Sequence, residues 1–246
     1  MSEVITTLHE GWAEVVLNRP HRRNAITGPL GDELASTVSE LSAGEKVRVI
    51  LLRGADGAFC SGLDIKEFNA EPPPAWMPAF RDTWRSAHRA LFDCPHPIVG
   101  ALEKYAINGG AALALACDLL VAGDEAFLQI GEVRQGMAAP YNMAWMRLRH
   151  SEALTANLAL TGRRVRGQEL VRLGIATESV ADDQVLPRAR ELATDLASYP
   201  SGALARIKAL ARRYSNAPSA DEWFDVATSM DPPGRTKPRR NDAAEE

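Results

Sequence analysis

A chain of 246 residues with 46% hydrophobic content is long enough to bury a sizeable core, as an ordinary soluble α/β protein does. Its 28 Lys and Arg against 32 Asp and Glu leave a net charge of -4, which excludes a global basic field for nucleic acid but allows a local basic patch for a phosphate. Cys60, Cys94 and Cys117 are odd in number and lack CxxC spacing or nearby paired histidines, so reduced, buried thiols are expected rather than a zinc site or a disulfide framework. Met1 to Leu8 shows no basic region followed by an apolar stretch, and no run approaches the ~18 apolar residues of a membrane span. A soluble, cytoplasmic chain with no membrane partner is expected.

Alternating Val4 to Leu8 and Ala13 to Leu17, separated by Glu10-Gly11, read as a β-hairpin ending at Asn18-Arg19-Pro20. Thr27 is placed as an N-cap, with Pro29 in the first turn and Leu30, Leu34, Val38 and Leu41 on one helical face. Val47 to Leu52 has the composition of a buried strand. Prolines 72, 73, 74 and 78 force a loop over residues 69–78, and a helix follows with Phe80, Trp84, Ala87 and Leu91 on one side. Ile98 to Leu102 is the next strand, then a small-residue helix from Gly109 to about Ala116 and a short strand from Leu119 to Ala122. Beyond Ser151 the pattern is nearly all helical, with a last helix near Glu222 to Met230 and a poorly ordered tail from Asp231.

Two glycine-bearing segments lie between a strand and a helix, where backbone N–H groups are free. They are Ala58-Phe59-Cys60-Ser61-Gly62-Leu63-Asp64-Ile65 and Tyr105-Ala106-Ile107-Asn108-Gly109-Gly110-Ala111. Glycine permits close backbone approach, and a helix N-terminus carries roughly half a positive charge, so two such N–H groups converging on one point make an oxyanion hole. Neither segment is a GxGxxG or Walker loop.

Several motifs in order resemble the signatures of the crotonase (enoyl-CoA hydratase/isomerase) family. They are Leu17-Asn18-Arg19-Pro20 with Asn24-Ala25, Ala58 to Asp64, Gly109-Gly110 with Cys117-Asp118, and Leu160-Thr161-Gly162 with Ala176. The resemblance covers roughly residues 4–215. It implies an α/β fold of repeated ββα units wound into a spiral over residues 1–190 and a helical trimerisation region over 191–230; the tail over 231–246 is expected from its composition to be flexible. It also implies a homotrimer or dimer of trimers, an acyl-CoA substrate, and no cofactor or metal beyond the coenzyme A that the substrate carries.

Carried over by position, the backbone N–H groups of Leu63 and Gly109 are the expected oxyanion-hole donors. The implied CoA contacts are Arg22, Asn24, Ala25, Ser61, Gly62, Asp64, Ile65 and Gly110, with Arg22 or Arg23 meeting a phosphate. Family hydratases use two glutamates; here the first position is Ala112, and the second, about twenty residues on, is Glu132. Alanine can neither orient nor deprotonate water, whereas a single base suffices to move a proton from C2 to C4 of a 3-enoyl-CoA. The resemblance thus favours isomerisation, against weak hydration or other enolate chemistry, or a non-catalytic acyl-CoA binder. A buried Glu132 is expected to have a raised pKa.

Some residues depart from the family pattern. Lys104 stands where glycine is usual, Asn108 replaces the first glycine of a triple, and Ala138-Ala139-Pro140-Tyr141 replaces a Gly-Gly helix start. Pro233-Gly234-Arg235-Thr236-Lys237 lacks the family's terminal CoA contacts. A Ser61-His-Asp triad using His88 or His96 is disfavoured, since Ser61 has no GxSxG elbow and His88 is expected on a solvated helix face. Asp118 and Asp124 are expected to cap or pair structurally, and Trp76, Phe80 and Trp84 to lie in the core or along the acyl tunnel.

Overall fold

The computed structural model describes residues 2–214 and 219–229, so the expected tail and the region 233–237 lie outside the described residues. The hairpin forms as expected, with β1 (Val4–Leu8) antiparallel to β2 (Trp12–Leu17) and Val4 opposite Leu17. Helix α1 (Gly28–Ala43) follows, its Leu30 N–H held by the Thr27 hydroxyl and its Leu30, Leu34 and Val38 buried. Strand β3 (Val49–Gly54) then pairs parallel to β2.

After the short helix α2 (Ile65–Phe68) and the proline loop comes α3 (Phe80–Asp93), which packs along α1. Strand β4 (Ile98–Leu102) is followed at once by a strand not expected from the sequence, β5 (Tyr105–Ile107). Helix α4 (Gly109–Ala116) leads into β6 (Leu119–Gly123) and β7 (Phe127–Gln129). Every residue of α4 from Gly110 to Ala116 is buried; helix-favouring Ala and Leu with no polar face suit only an interior helix.

The C-terminal third is nearly all helical, as expected, but it holds two short strands that were not. Helices α5 (Pro140–Arg149), α6 (Glu152–Thr161) and α7 (Gly167–Arg172) are interrupted by β8 (Arg164–Arg166), and α7 is followed by β9 (Glu178–Val180). Three-residue strands carry too little pattern to be read from alternation. Helices α8 (Val185–Ala197), α9 (Ala203–Tyr214) and α10 (Ala220–Thr228) complete the described chain. The boundary expected at residue 190 falls inside α8.

Six strands form one sheet in the order β1-β2-β3-β4-β6-β9, parallel except for β1. Both faces are covered. Ile50, Leu52, Ile98 and Leu102 join the larger core with α1, α3, α4 and α5, whereas Val49, Leu51, Val99 and Val121 pack against Val185, Ala189, Ala193 and Ala197 of α8. This explains why β3 reads as a continuous apolar run. The second sheet, β5-β7-β8, is small, but it positions the site.

Candidate active site

One parallel bridge brings the two glycine-bearing segments together, and a second ties the first of them to Ile26. Cys60 pairs with Ala106: Cys60 N–H donates to the Tyr105 carbonyl at 3.2 Å, and Ile107 N–H donates to the Cys60 carbonyl at 3.1 Å. Ile26 pairs with Leu63: Ile26 N–H donates to the Gly62 carbonyl at 2.8 Å, and Asp64 N–H donates to the Ile26 carbonyl at 2.9 Å. Since N–H directions alternate along extended chain, the Leu63 N–H is turned away from Ile26. Neither Leu63 N–H nor Gly109 N–H donates a hydrogen bond to any described residue. Gly109 is the first residue of α4, so its free N–H also lies at the positive end of that helix.

The glycines here are steric necessities. A Cβ on Gly110 would stand 2.5 Å from the Cys60 carbonyl oxygen, and one on Gly62, whose φ is +90°, would stand 2.8 Å from the Ile107 carbonyl oxygen. Gly110 therefore lets α4 close onto the Cys60 segment, a packing role. Trp84 abuts this point, with its Cζ2 3.6 Å from where a Gly109 Cβ would lie. Cys60 itself is buried and its thiol is pushed up to about 12 by desolvation, which leaves it unreactive.

The small sheet delivers Glu132 to the same place. Strand β7 pairs parallel to β5 with Gln129 opposite Ile107, and Asn108 N–H donates to the Gln129 carbonyl at 2.8 Å. Glu132 follows three residues later in a short 3-10 turn and is buried at 7% exposure. Its Oε1 accepts a 2.7 Å hydrogen bond from Asn142 Nδ2, and its Oε2 is buried with no partner among the described residues. Burial drives its pKa up to about 7, opposed by its own backbone N–H and by Asn142. Ala112, one turn into α4, is fully buried and supplies no second carboxylate.

The other implied site residues divide by what they touch. Asn24 is fully buried, its Nδ2 donating to the Ala55 and Ala58 carbonyls at 2.9 and 2.7 Å and its Oδ1 accepting from Arg19 N–H. Its side chain therefore staples the loop and has no surface for a ligand. Ala25 is likewise buried, with its carbonyl accepting from Arg19 Nη1.

Asp64 is buried too. It accepts from Arg19 and, at 3.1 and 2.9 Å, from Arg22, and it caps α2 through Glu67 N–H; these partners overcome desolvation and hold its pKa below the usual range. Asp64 thus fixes the loop. The same pairing engages Arg22, which the resemblance had assigned to phosphate. Ser61 is tied by its N–H to the Arg23 carbonyl, and Ile65 starts α2, so the two loops are one hydrogen-bonded unit.

His88 reverses its expectation. It is fully buried, its Nδ1 accepts a 2.9 Å hydrogen bond from Trp145 Nε1, and its ring lies 4.3 Å from Tyr141 and 4.6 Å from Trp84. Desolvation pushes its pKa down to about 3, so it is neutral across the physiological range. Asp118 and Asp124 pair structurally as expected, Asp118 with Arg149 and Lys208 and Asp124 with Ser179 and Gln168. Asn142 and the Asn108 side chain were missed. An Asn on the inward face of a helix beside buried Ala144, Trp145 and Met146 was the available signal.

With the unpaired N–H groups of Leu63 and Gly109, the latter at a helix start, and the buried Glu132 carboxyl tied to the same turn through Asn142, the arrangement can hold a developing oxyanion and move a proton. The family model described as enoyl-CoA hydratase/isomerase matches residues 7–230, and the chain belongs to that family. The human enoyl-CoA hydratase domain-containing protein 2, mitochondrial, is 35% identical over 194 residues, covering 76% of this chain and 66% of that protein. The chain thus spans just under two thirds of that relative. The carnitinyl-CoA dehydratase of Proteus mirabilis (strain HI4320) is 32% identical over 220 residues, covering 88% of this chain and 82% of the other. Among solved structures, a putative enoyl-CoA hydratase from Streptomyces coelicolor A3(2) superposes with a TM-score of 0.80 at 29% identity, over 93% of this chain and 86% of that one.

Proposed function

We propose that this protein is an acyl-CoA isomerase that shifts a double bond of a fatty 3-enoyl-CoA by a single-base proton shuttle. The observation that carries the reading is the environment of Glu132, a buried carboxylate with one oxygen unpartnered and a pKa of about 7. In this reading Glu132 takes the C2 proton, the electron pair moves into a dienolate whose charge sits on the thioester oxygen, and the same proton returns at C4. The Leu63 and Gly109 N–H groups hold that oxygen, each such donor being worth roughly 10²–10³ in rate. A pKa of about 7 suits a group that must both accept and return the proton near neutral pH.

Ala112 supports isomerisation over hydration, because the second carboxylate that a water addition would use is absent at that position. The CoA arm is assigned to the loop unit of residues 22–25 and 61–65, with no further cofactor. We also assign a homotrimer or dimer of trimers, supported by the exposed Leu160, Ile207, Leu210 and Val226 on the C-terminal helices. A cytoplasmic location fits a chain in which no described helix is long and apolar enough to cross a membrane. The test is to offer a 3-enoyl-CoA and crotonyl-CoA to the wild type and to Glu132→Gln: isomerisation that is lost in the variant, with slow hydration, supports the reading.

A further inference from the structure

We propose that Asn142 is a positioning residue for the proton shuttle: it pins Oε1 of Glu132 and leaves Oε2 as the oxygen that takes and returns the substrate proton. The inference rests on the function proposed above.

Asn142 lies in the first turn of α5 and is 1% exposed. Its Nδ2 donates to Glu132 Oε1 at 2.7 Å and to the Asn108 main-chain carbonyl at 3.0 Å. A main-chain carbonyl can only accept, so the amide nitrogen must face that side, and its orientation is fixed by chemistry rather than chosen. Asn108 stands at the N-cap position of α4, whose first residue, Gly109, carries the expected oxyanion N–H. One amide group therefore ties the base to the turn that holds the oxyanion donor.

The other ends of the two side chains carry the argument. Glu132 Oε2 and Asn142 Oδ1 are both buried without a hydrogen-bond partner among the described residues. An Asn kept only to satisfy the interior would be paired at both ends, because an unpaired buried acceptor costs on the order of 1–3 kcal/mol. Here only the end that grips Glu132 and Asn108 is used. The two carboxyl oxygens are thus made unequal, with Oε1 held and Oε2 open. A shuttle needs one oxygen to reach both C2 and C4, and a carboxyl free to turn would lose that alignment; misplacement by about 1 Å can cost 10²-fold.

The test uses the full chain with Asn142→Leu, which keeps volume but removes the donor, and Asn142→Asp, which keeps shape but turns an acceptor toward Oε1. Both are expected to lower kcat for 3-enoyl-CoA isomerisation roughly 10- to 100-fold with KM changed less than about 3-fold. Both should also move the rising limb of the pH profile upward, Asn142→Asp further, since the bond that favours the carboxylate form is gone. A residue that only packs would leave the limb in place.

A carbon-13 NMR titration of labelled glutamate carboxyls, with Glu132 assigned by its absence in Glu132→Gln, reads the same shift without substrate. An unmoved Glu132 titration in either soluble variant overturns the proposal. If Glu132→Gln kept full isomerisation, the proposed function would fail instead, and the titration would still decide whether Asn142 controls Glu132.

Discussion

The Asn108 side-chain carbonyl accepts a 2.9 Å hydrogen bond from the Gly131 amide, so the residue at the N-cap position of α4 also holds the backbone immediately before Glu132. Asn108 makes this bond from φ 53° and ψ -118°, a conformation that favours glycine and lies outside the left-handed helical region in which Asn is usually tolerated. Such strain costs on the order of 1–3 kcal/mol and is kept here by the bond to Gly131.

Substituting Asn108→Gly should therefore leave the melting temperature unchanged or raise it while lowering isomerisation several-fold, because the backbone relaxes and Glu132 loses an anchor. Asn108→Ala should lose both, melting lower by about 1–3 kcal/mol of stability. Thermal melts and initial rates on the two variants separate backbone strain from anchoring.

Adding one methyl at Gly110 should be more damaging than its size suggests. The new Cβ would stand 2.5 Å from a main-chain oxygen and 2.8 Å from the Cys60 Cβ, neither of which is a flexible side-chain end. Either α4 moves away from the Cys60 segment or the variant fails to fold. We expect Gly110→Ala to lose at least 1–3 kcal/mol in chemical denaturation and most activity. Wild-type stability and rate would contradict the packing described.

Glu132 should make the protein less stable at neutral pH than its glutamine variant. Its folded pKa, about 7, lies above the ordinary glutamate value of 4.5, so below 4.5 the carboxyl is protonated in both states and has no effect. Between 4.5 and about 7 the unfolded chain ionises first and stability falls; above that the full cost remains. Glu132→Gln should therefore gain stability over wild type as pH rises from 4 to 8, by on the order of 3 kcal/mol at the upper end. Denaturation curves at the two pH values check it, and a constant difference would mean that the carboxylate is not buried in a costly site.

His88 should matter for stability and not for pH response. Replacing it by Leu leaves Trp145 Nε1–H buried without its acceptor, at a cost of about 1–3 kcal/mol. The pH profile of activity between 5 and 9 should keep its shape, because the imidazole stays neutral there. A lost or displaced limb in His88→Leu would show that His88 takes part in proton movement.

Long periodic elements were legible from sequence, and contacts made across the chain were not. The β1-β2 hairpin, the Thr27 cap, the α3 face and the all-apolar α4 could be read because each repeats its pattern over several residues. Strands β5, β7, β8 and β9 have three residues each, too few to show alternation, and they exist because of pairing partners far along the chain. The site followed the same division. Leu63, Gly109 and Glu132 came from motif order, whereas Asn142 depends on a hydrogen bond that only the folded chain brings about. His88 was misread because its helix face looks polar until Trp145, Tyr141 and Phe224 close over it.

The most direct test of the account is the rate of double-bond migration in a 3-enoyl-CoA for wild type and Glu132→Gln, measured between pH 5 and 9. Wild-type kcat/KM should rise with pH through about 7 as Glu132 loses its proton, and the variant, which keeps the size and the bond to Asn142, should fall by at least the ~10²-fold of general-base loss. An unchanged rate in Glu132→Gln, or fast hydration of crotonyl-CoA by a wild type that does not isomerise, would contradict it.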